Sequence, residues 1–178
     1  MSISKHPIFL AISAMSFLLS SCTAVYFESP VPQNARTMST FPAELLGVYV
    51  SDDEELDNIV ISPESYQSGD INGILGENAV LKPYQEYWVL NQEAGEGQNV
   101  YTVFLGKFDL KSNRLEVFYL NLSEDLERQQ KLKEITKVED IFAADGTLEA
   151  VKINPTDQEF KAIFEGDLFL PYGTYTKQ

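Results

Sequence analysis

The sequence predicts a mainly β protein, folded as an antiparallel β-barrel or β-sandwich with one short surface helix. Two observations favour this class. Short segments rich in Val, Ile, Tyr and Phe recur along the chain, separated by clusters of Gly, Asn, Asp and Pro. Only one charged stretch interrupts that pattern, and many short strands at near-regular spacing are typical of barrels and sandwiches.

The predicted strands share a high content of β-branched and aromatic residues. They cover residues 47–50, 59–61, 79–81, 87–90, 101–108, 115–120, 135–142, 148–153, 160–164 and 174–176. Asp145-Gly146 is the strongest hairpin signal, because this pair favours a two-residue turn between antiparallel strands. A second turn is predicted at 111–113. Consecutive pairing of such strands would give a meander, of which the lipocalin-like arrangement is one form.

One helix is predicted over residues 121–133. This stretch, NLSEDLERQQKLK, is charged and lacks β-branched residues, and Asn121 and Glu124 have the spacing of a capping box. Its three leucines form only a narrow apolar stripe, so we expect the helix to lie on the surface.

The first 21 residues have the order of a bacterial secretory signal. Lys5 precedes an uncharged apolar run over 8–19, and Ser20 and Ser21 follow it. At about 1.5 Å per residue the run spans roughly 18 Å as a helix, well short of the roughly 30 Å of a bilayer core. We therefore expect residues 1–21 to be removed.

Cys22 ends the tetrapeptide LSSC, which resembles the lipobox of bacterial lipoproteins. Only a thiol can carry the thioether-linked diacylglycerol, and cleavage before Cys22 frees an amine for another acyl chain. One chain anchors only marginally, so two or three chains are needed for stable attachment. The alternative is a buried or stray cysteine. An Asp directly after the acylated cysteine usually favours retention in the inner membrane. Thr23 occupies that position, so we predict a lipid anchor at the outer membrane. Whether the protein faces the periplasm or the cell surface is left open.

Residues 22–40 are predicted to form the lipidated N-terminus and a tether, and residues 41–178 a single β-rich domain. The tether contains prolines and polar residues without periodicity, and Pro-rich linkers extend by about 3.1 Å per residue. Tyr26 and Phe27 interrupt its polar character. They would either lie at the lipid interface or begin a strand that docks on the domain.

The charge limits the classes of partner. Without Lys5, the mature chain has 12 basic against 27 acidic residues, a formal charge of −15. Such a surface repels nucleic-acid phosphates and anionic lipids. The predicted partners are the membrane, through the lipid, and a basic envelope protein; a divalent cation or simple solubility also fits the charge.

Candidate catalytic chemistry is sparse. The only histidine, His6, lies in the signal, and Cys22 is the only cysteine. A mature chain that has no histidine and no free thiol, because Cys22 is acylated, excludes Ser-His-Asp and Cys-His catalysis and zinc sites made from them. No phosphate-binding glycine motif is present. No catalytic, cofactor or metal residue is predicted, although a carboxylate pair of the kind glycosidases use stays open.

Two other clusters have competing interpretations. Residues 52–57 crowd carboxylates of the type that bind calcium, but without the order of a calcium loop, so a solvated turn is favoured. Tyr84, Tyr87 and Trp88 could form an exposed binding platform, but core packing is favoured for aromatic side chains in a β protein of this size.

The segment YFESPVPQNA at 26–35, followed by Phe41-Pro42 and by LGVY at 46–49, resembles the opening of small lipoproteins from Bacteroidota. The resemblance covers only residues 26–49. That family has no known activity, so the resemblance implies a compartment and no chemistry.

Three functions follow as hypotheses. The preferred one is a non-enzymatic binding or scaffolding module. The alternatives are an inhibitor or immunity protein against a basic envelope hydrolase, and a carboxylate-based glycan hydrolase. The interior of the fold separates them: an apolar cavity indicates ligand binding, an acidic cleft indicates catalysis or cation binding, and a filled interior indicates protein interaction.

Overall fold

The computed structural model describes residues 23–95, 99–122 and 125–178. The predicted signal and Cys22 lie outside these ranges. The described strands are β1 Ala24–Phe27, β2 Gly47–Ser51, β3 Ile59–Ile61, β4 Ser65–Ser68, β5 Ile71–Ile74, β6 Ala79–Tyr84, β7 Tyr87–Glu93, β8 Tyr101–Asp109, β9 Arg114–Leu120, β10 Val138–Phe142, β11 Leu148–Ile153 and β12 Phe169–Lys177. The helices are α1 Leu126–Ile135 and α2 Asp157–Glu165, with a 3₁₀ turn at Ala43–Leu45. None of them is long and apolar enough to cross a bilayer.

The prediction of a mainly β fold is confirmed. All twelve described strands belong to one sheet with the order β10-β11-β1-β8-β9-β12-β2-β3-β4-β5, and β6 and β7 branch from β8. Across the described ranges the sheet does not close into a barrel, so an open, layered arrangement describes it. It is not purely antiparallel, because β1 pairs parallel with β11.

The three antiparallel strands β7, β8 and β9 form a middle sheet with a core on each face. Val89, Val103 and Leu120 face the first core, which α2 and the β1–β11 pair cover. Trp88 and Val117 face the second core, around which β12 and β2–β5 curl. Because both faces are buried, these strands have nearly continuous apolar runs rather than strict alternation.

The prediction of a strand at 160–164 is wrong, since these residues belong to α2. Thr156 caps the helix: its Oγ1 accepts from the Glu159 backbone N–H at 3.3 Å, and the Glu159 carboxylate accepts from the Thr156 N–H at 2.7 Å. Phe160 and Ile163 are fully buried on one helical face. The apolar residues therefore follow the helical period, and the described part of the chain has two α-helices where one was predicted.

The predicted surface helix is confirmed with shifted bounds. It starts at Leu126 rather than 121, and its N-cap is Asp125, whose carboxylate accepts from the Arg128 N–H at 3.0 Å. The hairpin turns at 111–113 and 145–146 are confirmed by the β8–β9 and β10–β11 pairings.

The extended tether predicted for 22–40 is wrong for its described part, and the docking alternative describes it. β1 pairs with β11 over four residues, and Phe27 and Val31 are fully buried. The buried Asn91 then holds Val31 through both backbone groups, with its Oδ1 accepting from the N–H at 2.7 Å and its Nδ2 donating to the carbonyl at 3.0 Å. Lys82 donates to the carbonyls of three residues in the same segment. The folded domain thus begins by residue 24, not 41.

Candidate functional site

The second core encloses an apolar cavity of about 110 Å³. It lies between the middle sheet and the curl formed by β12 and β2–β5. Its lining is almost wholly aliphatic and aromatic, and Ser68 is the only lining residue with a polar side chain that is not aromatic. Engineered apolar cavities of roughly 150 Å³ bind benzene, so this space suits a single small ring or a short alkyl segment.

The curl is held together by Tyr66 on β4. Its hydroxyl donates to Gln92 Oε1 on β7 at 2.6 Å, which joins the curl to the middle sheet. The ring lies directly over Gly73 of β5, where a Cβ would approach Tyr66 Cε1 to 2.0 Å. Glycine at 73 is therefore required for the ring to occupy this position and close the cavity wall.

Three buried tyrosines face the second core, and one of them lacks a hydrogen-bond partner among the residues that the structure describes. The Tyr49 hydroxyl donates to the Leu45 carbonyl at 2.8 Å, and that of Tyr66 is bonded as described above. The Tyr175 side chain is fully buried and lines the cavity, yet its hydroxyl has no partner among the described residues. Buried polar atoms are normally satisfied, so the unpartnered hydroxyl of Tyr175 is an exception among the described residues.

Burial keeps the Tyr175 phenol neutral. Its pKa is raised to about 12, mostly by desolvation and to a smaller extent by the nearby Tyr172, Asp57 and Asp53. Burial raises the pKa of Tyr66 as well. Both hydroxyls therefore remain protonated at physiological pH and can act as hydrogen-bond donors.

The cavity opens to solvent beside its two exposed lining residues. Ile71 is 50% exposed and Tyr172 is 42% exposed, whereas most other lining residues are buried or half-buried. Tyr172 packs edge-to-face on Tyr119 and Phe104, with ring centroids 5.4 and 6.2 Å away. These contacts hold one side of the opening in place.

The predicted aromatic group divides between the two cores. Tyr84 and Tyr87 pack on the first core, each edge-to-face with Phe164 of α2 at 5.3 and 5.1 Å. Trp88 packs on the second core and lines the cavity. The prediction of core packing is confirmed, and the cavity gives Trp88 a second role that the sequence did not indicate.

The acidic loop 52–57 has the contacts of a structured turn. Asp52 forms an ion pair with Arg114, and the Asp53 carboxylate accepts from the Glu55 N–H at 2.9 Å. Among the residues that the structure describes, no three acidic, histidine or cysteine side chains are placed to hold a metal ion.

A second, more open groove of about 640 Å³ runs along α1. Its carboxylates alternate with cations: Arg128 Nε lies 3.0 Å from Asp125 Oδ2, and Lys131 Nζ donates to the Gly166 carbonyl at 2.7 Å. Asp125 is thus engaged as a helix cap and an ion-pair partner. The groove is therefore lined by both acidic and basic side chains, unlike the acidic cleft that the hydrolase hypothesis expects.

Comparison of the chain with protein-family models, with curated proteins and with solved structures found no match. The predicted lipid-attachment residue, Cys22, lies outside the described residues. Sequence reasoning missed Tyr175, because a lone tyrosine in a strand looks like any other core residue. Only the folded arrangement distinguishes it from Tyr49 and Tyr66.

Proposed function

We propose that the mature protein is a lipid-anchored, non-enzymatic binding protein of the bacterial envelope that holds a small apolar molecule or group in the cavity of the second core. The observation that carries this proposal is the apolar cavity itself, which is lined almost wholly by aliphatic and aromatic side chains and includes Tyr175, whose buried hydroxyl lacks a partner among the described residues. The absence of histidine and of any cysteine from positions 23–178 of the sequence supports a binding role.

The energetics of the cavity support a ligand. Unfilled core volume costs about 24 cal/mol per Å³, so a cavity of about 110 Å³ costs on the order of 2–3 kcal/mol. An unsatisfied buried hydroxyl adds about 1–3 kcal/mol. A ligand with an apolar ring or chain and one hydrogen-bond acceptor would recover both terms.

The single tryptophan provides the test, because Trp88 lines the cavity. Bromobenzene and 4-bromophenol are titrated into the purified protein while Trp88 fluorescence is recorded. A bromine atom held in the cavity quenches this fluorescence in a saturable manner. We expect both probes to saturate. We also propose that the Tyr175 hydroxyl turns toward the oxygen of bound 4-bromophenol, which would then bind more tightly than bromobenzene.

Two matched variants complete the experiment. Val117→Phe fills the cavity, while Val60→Phe makes the same change on the outer side of β3, where Val60 is 41% exposed. Saturation should be lost in the first variant and kept in the second. Tyr175→Phe should remove the preference for 4-bromophenol. Linear, unsaturable quenching that is identical in all the variants would end the proposal.

The anchor is the other half of the proposal. The LSSC motif supports acylation of Cys22, and Thr23 supports retention at the outer membrane. Mass spectrometry of the protein extracted from its native membrane tests this directly. The expected N-terminus is a Cys22 carrying fatty acyl groups; an intact leader or a free thiol would contradict the anchor without affecting the cavity.

A basic envelope protein is a second candidate partner. The mature charge of −15 and the exposed carboxylates of the loop 52–57 support it. Binding to a cationic hydrolase that weakens steeply with salt is the expected signature. Binding that is absent at low salt would remove this candidate.

A further inference from the structure

The first described residues lie next to the end of the β10–β11 hairpin that carries its turn. Ala24 of β1 pairs with Ala150 of β11 and forms a bridge to Asn121 on its other side. Ala150 in turn pairs with Ile141 of β10. These four residues form a row across neighbouring segments, and the turn 143–147 lies just beyond it. We call this region the proximal end.

The proximal end is close to Cys22 by covalent geometry alone. Two residue steps separate Cys22 from Ala24, and they span at most about 7 Å whatever their conformation. Phe142 lies two strands from β1 and one residue beyond the row, which places it within roughly 11 Å of Ala24 at ordinary strand spacing. An acyl anchor on Cys22 therefore leaves no room for a spacer between the bilayer and this end.

The proximal end exposes a large apolar side chain in a stretch of low charge. Phe142 is 60% exposed at the end of β10. The stretch 141–148, IFAADGTL, contains a single acidic residue in a chain that has 27 of them. That residue, Asp145, is bonded to the Thr147 hydroxyl at 2.6 Å and to its N–H at 2.9 Å. Leu126, which begins α1 five residues after Asn121, is 77% exposed.

We propose that the tip of the β10–β11 hairpin rests directly on the lipid bilayer, with the Phe142 side chain inserted among the lipid headgroups. This inference rests on the acylation of Cys22 in the proposed function. The occupant is a lipid surface because the anchor holds this end at the membrane and because exposed Phe, Leu and Trp side chains of membrane-bound segments are buried at the boundary between headgroups and acyl chains. The domain is then seated on the membrane instead of being held away from it by a tether.

The test uses the fact that Cys22 is the only natural cysteine. Once Cys22 is acylated, a nitroxide label attaches only to a newly introduced thiol. Phe142→Cys reports the proximal end. Leu110→Cys is the matched control. Leu110 is 69% exposed and lies at the β8–β9 turn, which is at the opposite end of β9 from Asn121 and the proximal end. The full acylated protein is reconstituted in phosphatidylcholine vesicles, and collisions of each label with a water-soluble nickel complex and with oxygen are measured.

We expect the label at 142 to be several-fold less accessible to nickel and more accessible to oxygen than the label at 110. Equal accessibility at the two positions, with Cys22 shown by mass spectrometry to be acylated, would overturn the seating while the anchor stands. Spin–spin broadening between labels at 142 would indicate a second copy of the chain in place of lipid and would also overturn it. An unacylated Cys22 would overturn both proposals.

Discussion

The buried amide of Asn91 gives the sharpest test of how the N-terminal segment is held. Its side chain makes three hydrogen bonds to backbone groups: one from the Val31 N–H at 2.7 Å, one to the Val31 carbonyl at 3.0 Å and one to the Val80 carbonyl at 3.2 Å. Asn91 is fully buried. Asn91→Ala removes all three bonds and leaves the Val31 groups buried without these partners.

The magnitude follows from the burial of those groups. A buried donor or acceptor that loses its partner costs about 1–3 kcal/mol, so we expect Asn91→Ala to lower the free energy of unfolding by about 3–5 kcal/mol. At 2–4 °C per kcal/mol for a chain of this size, the midpoint of thermal unfolding should fall by roughly 6–20 °C. Urea and thermal unfolding followed by Trp88 fluorescence measure both quantities.

The control is Asn72→Ala, the same change at an exposed position of β5. We expect it to change stability by no more than about 0.5 kcal/mol. Hydrogen exchange at the Val31 amide adds a local readout, because this N–H should lose its protection only in the Asn91 variant. Equal losses in the two variants would refute the reasoning that residues 30–33 are clamped to the sheet by Asn91.

Three further predictions concern single side chains. Tyr175→Phe removes a hydroxyl that has no partner among the described residues, so its free energy of unfolding in urea should be unchanged or higher. Tyr49→Phe removes the bond to the Leu45 carbonyl and should lower the free energy of unfolding by about 1 kcal/mol. An equal loss in both variants would show that Tyr175 has a partner. The pKa values of Tyr49 and Tyr175 are raised from 10.0 to about 12, so the unfolded chain releases its phenol protons at lower pH than the folded chain does. Stability should therefore be full below pH 10 and fall between pH 10 and pH 12, by up to about 3 kcal/mol per group. Thermal unfolding across that range checks this, with a smaller fall expected in Tyr175→Phe and a flat profile contradicting it. Thr156→Ala removes the N-cap of α2 and should lower the free energy of unfolding in urea by about 1 kcal/mol. The control, Thr37→Ala, changes an exposed threonine and should leave this free energy unchanged. No loss in Thr156→Ala would mean that packing alone stabilises the helix.

Most strands were predictable because their residues combine β propensity with clear turn signals. β8 and β9 were predictable from their apolar runs and from the turn residues at 111–113. In the structure Asn113 adopts a positive φ of 54° in this turn. β4 and β5 were missed because the segments SYQS and INGI are short and mix polar with apolar residues, and their one glycine, Gly73, makes room for the Tyr66 ring. Their pairing depends on neighbouring strands, which local sequence does not show.

The errors at α2 and β1 have different causes. At α2 the Thr156-x-x-Glu159 capping box was present in the sequence, but five residues with two phenylalanines and an isoleucine also fit a strand. At β1 the prolines that follow Phe27 indicated an extended linker, whereas the deciding contacts come from Asn91 and Lys82, more than fifty residues away. Long-range hydrogen bonds of this kind are invisible to local pattern.

The candidate site was the least predictable part. Its lining residues come from most of the chain length, and each looks like an ordinary core residue by itself. What marks the site is a volume left unfilled and a hydroxyl left unbonded, and both are properties of the assembled fold.

The uneven pairing of the sheet divides the molecule into parts of different local stability. β8 has neighbours on both edges and a core on each face, while β3, β4 and β5 are three or four residues long and, among the described strands, β5 pairs only with β4. Native-state exchange should therefore show β8 as the slowest segment and β3–β5 as a cooperative unit that opens at lower free energy. Opening of β3–β5 would let the cavity accept ligands larger than its closed volume, while the part of the sheet that contains β1 and β8 stays folded.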